Sequence, residues 1–346
     1  MNTRLTLSLD AMGGDNAPAM VVEGIAIAKE RLPHVQYLLF GDEKQLNPLL
    51  ELNAKARSVC EVRHTEDIVS NDESAGNALR SGRNSSMRLA INAVNDGEAA
   101  GIVSAGNTGA LMAMAKFVLK TLPGIDRPAI ASFFPTLRGE SVMLDLGANV
   151  ICTADNLVQF AVMGEVFARY VLGLKQPSIG ILNVGSEALK GHESVKQAAN
   201  TLQESDLPIH FHGFIEGDDI AKGTVDVVVT DGFTGNIALK TAEGTAKMFG
   251  AFLKEALLSS TTSKLGALLA KSALNDFRVR LDPRRYNGAM FLGLNGICVK
   301  SHGGTDGLGF ANALEVAVEL IEDGLNDFIK EDLSHLGYVQ PTTEAI

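Results

Sequence analysis

Apolar positions along this chain switch repeatedly between a two-residue and a three-to-four-residue spacing. Leu5-Thr6-Leu7-Ser8-Leu9 alternates apolar and polar, as a strand does, and ends in Asp10-Ala11-Met12-Gly13-Gly14-Asp15-Asn16-Ala17-Pro18. Val21, Val22, Ile25, Ala28 and Leu32 follow at helical spacing, and Pro33 stops that helix. The same reading predicts strands at 37–40, 59–62, 101–103, 129–133, 141–144 and 179–182, with a turn at 136–140. It predicts helices at 43–52, from Met87 to Val94, and at 110–119, 155–172 and 192–203. Residues 64–83 are polar and read as a loop, a candidate lid. Val225, Val227, Val228 and Val229 form a short β-branched strand. A polar turn, Thr230-Asp231-Gly232-Phe233-Thr234-Gly235, separates it from a helix beginning at Asn236. Helices 236–258 and 263–279 form a hairpin turned at 259–262. Short strands near Met290 and at 297–300 precede His302-Gly303-Gly304-Thr305-Asp306-Gly307, an amphipathic helix at 308–331 and a polar tail.

Strands alternating with helices predict an α/β fold in three layers, α/β/α, around a mainly parallel sheet. The expected organisation is one catalytic unit over residues 1–332, with the hairpin of about 236–280 projecting from it and a tail at 333–346. Strand, glycine or Asn, then helix recurs at 10–18, 104–110, 145–149, 183–191, 230–236 and 301–307. Ligands of parallel sheets gather at the carboxyl ends of strands, so all six loops are expected on one edge.

Composition narrows the chemistry. The chain has 346 residues, 46% hydrophobic and 21% charged, which is a globular balance with 35 glycines to supply tight loops. A formal net charge of −11 argues against a nucleic-acid partner. No run reaches the length of a membrane span, and Arg4 leads straight into a strand, so no signal peptide is expected. Cys60, Cys152 and Cys298 are odd in number and far apart, as befits a reducing compartment.

Neither common nucleotide fingerprint is present: Gly307-Leu308-Gly309 has Asn312 where a third glycine belongs, and no GxxxxGK[ST] occurs. There is no GxSxG elbow, and no HExxH or similar cluster, so neither a metal nor a cofactor is expected. What remains is anion binding without a protein nucleophile. If a bound phosphate is itself the nucleophile, the site has to hold a dianion against a carbonyl and stabilise the oxyanion that forms. Lys190 is a cation in a glycine loop ahead of a helix, a poor match to the helix dipole unless an anion binds there; the alternative is a solvated lysine. Asn236 offers an uncharged NH₂ donor or a helix cap, and Asp231 either orients its neighbours or forms the turn. The glycine loops add Asp10, Gly13, Gly14, Asn107, Thr108, Gly109, Asn149, Gly185, Gly232, Thr234 and Gly235 as candidate substrate and phosphate contacts.

LSLDAMGGDNAP at 7–18, SAGNTGALMA at 104–113, LDLGAN at 144–149, ILNVGSEALKG at 181–191 and VVVTDGFTGNIALKT at 227–241 resemble, in order over about 4–330, the bacterial phosphate acyltransferases of phospholipid synthesis. The resemblance implies transfer of a long-chain acyl group from acyl carrier protein to inorganic phosphate, with no metal or nucleotide. It implies an isopropylmalate-dehydrogenase-like fold related to phosphotransacetylases, a homodimer, and Lys190 and Asn236 as catalytic residues. The acyl phosphate would pass to a membrane glycerol-3-phosphate acyltransferase, which places the protein in the cytoplasm at the inner face of the cell membrane. The His302 loop departs from the serine-bearing form that the resemblance leads one to expect.

Two surfaces complete the picture. The hairpin carries Leu257, Leu258, Leu265, Leu268 and Leu269 beside a small polar turn, a dimer or core contact or a tip that meets the membrane surface. Arg278, Arg280, Arg284 and Arg285 form a local cationic patch, either a dock for acidic carrier protein or a solvated face. Two other functions fit the fold: a dehydrogenase of a phosphorylated hydroxy acid, and a non-catalytic carrier-protein or membrane scaffold.

Overall fold

The structure, a computed structural model, describes residues 5–335 apart from 206, 208 and 281; the 336–346 part of the expected tail lies outside the described residues. The chain opens with β1 (Thr6–Asp10), α1 (Ala19–Arg31), β2 (Gln36–Gly41), α2 (Glu43–Leu52), the single turn α3 (Ala54–Arg57) and β3 (Cys60–His64). It continues through α4 (Ala75–Ser81), α5 (Ser86–Asn95), β4 (Gly101–Ser104), α6 (Thr108–Leu119), β5 (Ala129–Thr136), β6 (Gly139–Leu144), α7 (Ala154–Val171), β7 (Ser178–Leu182) and α8 (Glu193–Glu204). β8 (His210–Ile215), α9 (Gly217–Lys222), β9 (Val227–Val229) and α10 (Gly232–Leu258) follow. The chain ends in α11 (Thr261–Leu269), α12 (Lys271–Arg280), a 3-10 turn (Pro283–Tyr286), β10 (Ala289–Leu292), β11 (Ile297–Lys300), α13 (Gly307–Glu322) and α14 (Leu325–His335).

Most of the periodic segments form the elements expected of them. The polar stretch 64–83 is less of a loop than its composition suggests: Ser74 caps α4 within it, its Oγ accepting from Asn77 N. The hairpin's second arm breaks at Ala270 into α11 and α12. Strand β8 and helix α9 were not anticipated. β8 lies at the sheet's edge with His210 and His212 exposed, so it lacks the apolar run of an inner strand. The polar turn before Asn236 is shorter than expected, because α10 already starts at Gly232 with Asp231 as its N-cap.

One eleven-stranded sheet is seen among the described residues, in the order β3-β2-β1-β4-β11-β10-β5-β6-β9-β7-β8. Inner strands are covered on both faces. Leu7 and Leu9 are buried on one side and Ser8 on the other, where its hydroxyl donates to Ala90 O at 2.7 Å. The polar position in that alternation therefore marks a satisfied buried hydroxyl rather than a solvent face.

Strand direction reverses within the sheet. β1 to β4 and β11 are mutually parallel; β10 is antiparallel to both β11 and β5, and β5 is antiparallel to β6. β9, β7 and β8 then run parallel to β6. The turn between β5 and β6 is too short for a crossover, and a hairpin must reverse the chain. The expectation that all six glycine loops share an edge is therefore corrected. The loops after β1, β4 and β11 leave one edge, and those after β6, β7 and β9 leave the opposite one.

Helix α10 spans the two. Its first turn presses on the loop after β6, where a Cβ at Gly235 would lie 2.0 Å from Asp145 O. Two turns on, Lys240 is close enough to Lys300 and His302 to influence the protonation of both. Beyond Gly244 nearly the whole helix is exposed.

Candidate functional site

At the β6-β9-β7 edge the organising group is Asp145. It is fully buried, and its carboxylate accepts from Ile130 N at 2.9 Å, Gly147 N at 3.2 Å, Ala148 N at 3.1 Å, and Asn149 N and Nδ2 at 2.7 and 2.9 Å. Burial pushes this carboxyl up from its ordinary range, and those hydrogen bonds pull it back. Asn149 also donates to Pro128 O at 2.8 Å, so its amide is committed to the loop rather than to a ligand.

The first turn of α10 does not offer the free amides expected of it. Gly232 N donates to Asn149 O at 2.7 Å, Thr234 N to Asp231 Oδ1 at 2.8 Å, and Gly235 N to Asp231 O at 2.9 Å. Thr234 Oγ1 donates to the other Asp231 oxygen at 2.9 Å. Asp231 and Thr234 thus act as the cap, and Asp231 orients neither Lys190 nor Asn236. Gly232 and Gly235 are small because the Asp145 loop lies against them: a Cβ at Gly232 would meet Asn149 O and Asp145 Oδ2 at 2.8 Å each.

Two side chains at this edge do stay available. Asn236 is exposed and makes no side-chain hydrogen bond among the described residues; it lies beside Gly147, whose φ of +129° is glycine territory. Lys190 is about half exposed and pairs only loosely with Glu187, Nζ to Oε1 3.7 Å. Its loop is clasped by Asn183, which accepts from Val184 N at 2.9 Å and donates to Lys190 O at 3.1 Å, with Gly185 buried inside. β7 and β9 are neighbours, Ile181 opposite Val229, so the loop that carries Lys190 and the start of α10 that carries Asn236 follow adjacent strand ends. On the loops after β6 and β7 and the start of α10, Val150, Ile151, Val184, Leu189, Phe233 and Ile237 are all at least half exposed. Exposed apolar side chains on the same segments as a cation and an amide suit a substrate with a hydrocarbon chain and a polar head.

The opposite edge is built on Asp10. It is buried and accepts from Ser86 Oγ and Ser104 Oγ, each at 2.6 Å, and burial pushes its carboxyl up. A Cβ at Gly13 would fall 2.3 Å from Asp10 Oδ2, and Gly14 has φ +107°. Asp10, Gly13 and Gly14 therefore hold the fold of the loop. Asn107 is fully spent: it caps α6 through Ala110 N at 3.0 Å and donates to the carbonyls of Ser70, Asn71 and Glu73. Thr108 and Gly109 stand exposed in the first turn of α6.

Sequence reasoning missed Lys300 at this edge. It ends the apolar strand Ile297-Cys298-Val299, and a lysine closing a buried strand just before a glycine loop was the available signal. The residue is partly buried, and its Nζ donates to Ala105 O at 3.2 Å and to Ser301 O. Desolvation pushes its amine down to about 8, with Asp10 and Asp15 opposing and Lys240 assisting. His302 is held below its usual range by desolvation and by Lys240. Its Nδ1 accepts from Gly304 N at 3.2 Å, so the neutral ring carries its proton on Nε2. Asn287, itself buried, holds the loop through His302 N at 2.8 Å, Ser301 Oγ at 2.9 Å and Gly309 O at 2.6 Å.

A depressed lysine gives a pH signature. Below about 8 the folded and unfolded amines are both protonated. Between there and the unfolded value near 10.4 the unfolded chain binds more protons, so stability rises with pH across that window. Wild type is expected to gain up to roughly 3 kcal/mol over Lys300→Met between those limits. Parallel stability-versus-pH curves for the two proteins would remove the assignment.

No thiol is poised to attack. Burial pushes Cys60 and Cys152 up to about 12 and Cys298 higher still. No group of three or more His, Cys, Asp or Glu is placed to hold a metal among the described residues.

The cationic patch is thinner than its sequence suggests. Arg278 and Arg285 are exposed, but Arg284 is bound to Asp282 and, at 2.9 Å, to Asp306. The Arg280 side chain lies outside the described residues. On the hairpin Leu257 is half-buried, while Leu258, Leu265, Leu268 and Leu269 are exposed together with Phe249 and Phe252. They are not core residues of the single chain. No helix among the described residues is long and apolar enough to cross a membrane.

Comparison with known proteins agrees with this architecture. The model of the family described as "Fatty acid synthesis protein" matches residues 5–327. The phosphate acyltransferase of Paramagnetospirillum magneticum is 64% identical over 97% of this chain and 96% of its own length. That of Rhodospirillum centenum is 66% identical over 97% and 95%. Among solved structures, a phosphotransacetylase from Streptococcus pyogenes superposes with a TM-score of 0.62 at 16% identity, covering 92% of this chain and 94% of its own. A 4-hydroxythreonine-4-phosphate dehydrogenase from Klebsiella pneumoniae gives 0.54 at 15%, covering 92% and 100%, so transferases and dehydrogenases share this fold. The full-length sequence relatives decide between the two: the chain belongs to the phosphate acyltransferase family and is an acyltransferase.

Proposed function

We propose that the protein transfers a long-chain acyl group from acyl carrier protein to inorganic phosphate, releasing the free carrier thiol and an acyl phosphate for phospholipid synthesis. The observation that carries this reading is that Lys190 and Asn236 follow adjacent strand ends and both stay exposed, with exposed apolar side chains on the segments that carry them. A phosphate oxygen attacks the thioester carbonyl and forms the C–O bond. The carbonyl becomes an oxyanion, which the Lys190 ammonium and the Asn236 NH₂ stabilise. Collapse breaks the C–S bond and expels the carrier sulfur as thiolate, which takes up the proton that the attacking hydrogen phosphate gives up and leaves as the free thiol. No side chain needs to become covalently modified, in keeping with the protonated, buried thiols.

The test is incubation with palmitoyl carrier protein and labelled phosphate, following free thiol. Thiol release that does not depend on phosphate would refute the reading. Carrier-protein binding that survives Lys190→Ala with no thiol release at all would instead favour the scaffold.

The reading extends to partners. The exposed hairpin leucines form either a homodimer contact or a membrane contact, close to the glycerol-3-phosphate acyltransferase that uses the product, and Arg278 and Arg285 are left to meet the acidic carrier. Leu258→Glu and Leu268→Glu are expected to abolish flotation with anionic liposomes while leaving the oligomeric state unchanged. Loss of the dimer with intact flotation would assign the hairpin to the subunit interface.

A further inference from the structure

The face formed by α4, α5 and α6 carries charge of the opposite sign to the molecule as a whole. The chain has a formal net charge of −11, yet residues 74–95 hold three arginines and no acid, and residues 99–125 hold two lysines and no acid. Both α4 and α5 pack on α6, so the two stretches meet on one surface. Three distances fix how they meet. Arg88 on α5 lies over the ring of Phe117 on α6, Cζ to centroid 5.2 Å. A Cβ at Gly82, in the turn from α4 to α5, would lie 2.9 Å from Met114 Cε on α6. A Cβ at Gly109, in the first turn of α6, would lie 3.8 Å from Ala75 Cβ on α4.

These cations are not neutralised from within. Arg80 donates to Asn77 Oδ1 at 2.7 Å, Arg88 to Asn92 Oδ1 at 3.1 Å and Lys116 to Asp126 O at 3.1 Å, all uncharged acceptors. Arg83 is exposed, and among the described residues none of the four forms a salt bridge. The flanking acids have other partners. Glu73 accepts from Ser81 Oγ at 3.1 Å, Asp96 from Asn95 Nδ2 at 3.1 Å and Asp126 from Gln159 Nε2 at 3.4 Å, while Glu98 is paired with Arg63 at 3.4 Å. Burial and the Arg83 charge hold the Arg88 guanidinium below its usual value, the sign of cations crowded without an anion between them. Phe117, under that guanidinium, is 62% exposed. Arginine and aromatic side chains are the ones enriched at the centres of protein interfaces.

The face also leads to the candidate site. Lys116 holds Asp126 O, Arg127 Nη1 donates to Ile151 O at 3.5 Å, and Pro128 O accepts from Asn149 Nδ2 at 2.8 Å. Asn149 O in turn accepts from Gly232 N at the head of α10, just ahead of Asn236.

We propose that the α4–α5–α6 face, built on Arg83, Arg88 and Phe117 with Lys116 at its inner rim, docks the acidic body of acyl carrier protein. The proposal rests on the acyl-transfer reading and deepens it by placing the carrier. Charge complementarity commits the face to an acidic protein. The net charge of this chain repels such a partner at a distance, so a local excess of cations has to capture it and set its orientation. Phe117 supplies the apolar contact among the charges. Arg127 and the exposed Val150 and Ile151 connect the docked carrier to the start of α10, so the thioester enters past the loop after β6.

The experiment measures binding of palmitoyl carrier protein by calorimetry, without phosphate and over a range of salt. Arg83→Glu, at an exposed position, is expected to raise the Kd by about 10-fold and to flatten its salt dependence, with kcat at saturating carrier unchanged. Arg88→Glu and Phe117→Ser should move in the same direction. Arg57→Glu makes the same charge change on α3 and should leave the Kd where it is. An unchanged Kd in the double variant Arg83→Glu, Arg88→Glu would overturn the proposal. So would a loss confined to Arg278→Glu, which would seat the carrier on α12. Loss of flotation with anionic vesicles at intact carrier affinity would overturn it too, and give the face to a lipid surface. Binding does not require turnover. Binding that depends on these arginines, in a wild-type protein without phosphate-dependent thiol release, would keep the docking face and reject the reaction. Normal thiol release with carrier affinity indifferent to them would reject the face alone.

Discussion

Lys190→Ala is expected to lower phosphate-dependent thiol release by about 10²-fold to 10³-fold, the range for removing one preorganised donor to an oxyanion. The side chain is about half exposed, and its contact with Glu187 at 3.7 Å is a surface pair. Such pairs contribute little to folding, so the unfolding temperature should not change. Glu187→Gln provides the control: if Lys190 served only that pair, the two variants would behave alike. Wild-type turnover in folded Lys190→Ala would take the residue out of the mechanism. An effect confined to the KM for the acyl donor would move it from the oxyanion to carrier or acyl binding.

Gly235→Ala carries the largest expected effect on stability. The new methyl would lie 2.0 Å from Asp145 O and 2.8 Å from Thr230 Cγ2, and the first of these is backbone that cannot swing aside. Helix α10 would have to lift from the loop after β6. Overpacking of this kind costs on the order of 3 kcal/mol, read as a lower denaturant midpoint with unchanged slope. Gly109→Ala is the contrast. Its nearest neighbour would be Asn107 Oδ1 at 3.5 Å, an ordinary contact, and alanine is the better helix former. It should be neutral or slightly stabilising. If Gly235→Ala were equally harmless, the glycines of the Thr230–Gly235 turn would not be explained by packing.

That turn also separates what was legible from what was not. Its glycines suggested amides open to an anion. The structure spends three of the first four on Asn149 O and Asp231, and the glycines admit the Asp145 loop. Asn107 and Asn149 misled for the same reason: a polar side chain in a glycine loop reads alike whether it binds a ligand or ties the loop together. Lys190 and Asn236 differ from these in remaining exposed and lightly bonded, which no spacing reveals.

The sequence by itself determined most of the local structure: where the strongly periodic strands and helices lie and where glycine turns join them, with β8, α4 and α9 the exceptions. Those features depend on side-chain period and turn chemistry within a few residues. The motifs at 7–18, 181–191 and 227–241 also pointed to the right family, since they are long and occur in order. Only the tertiary structure decided strand order and direction, because these come from pairings between distant segments. The insertion of β10 and β11 between β4 and β5, and the reversal at the β5–β6 hairpin, place the six loops on two edges instead of one. The same long-range packing partly buries Lys300, lowers its pKa and brings α10 past it. A lysine closing a short buried strand ahead of a glycine loop is a weak local signal; its lowered pKa depends on what the fold placed around it.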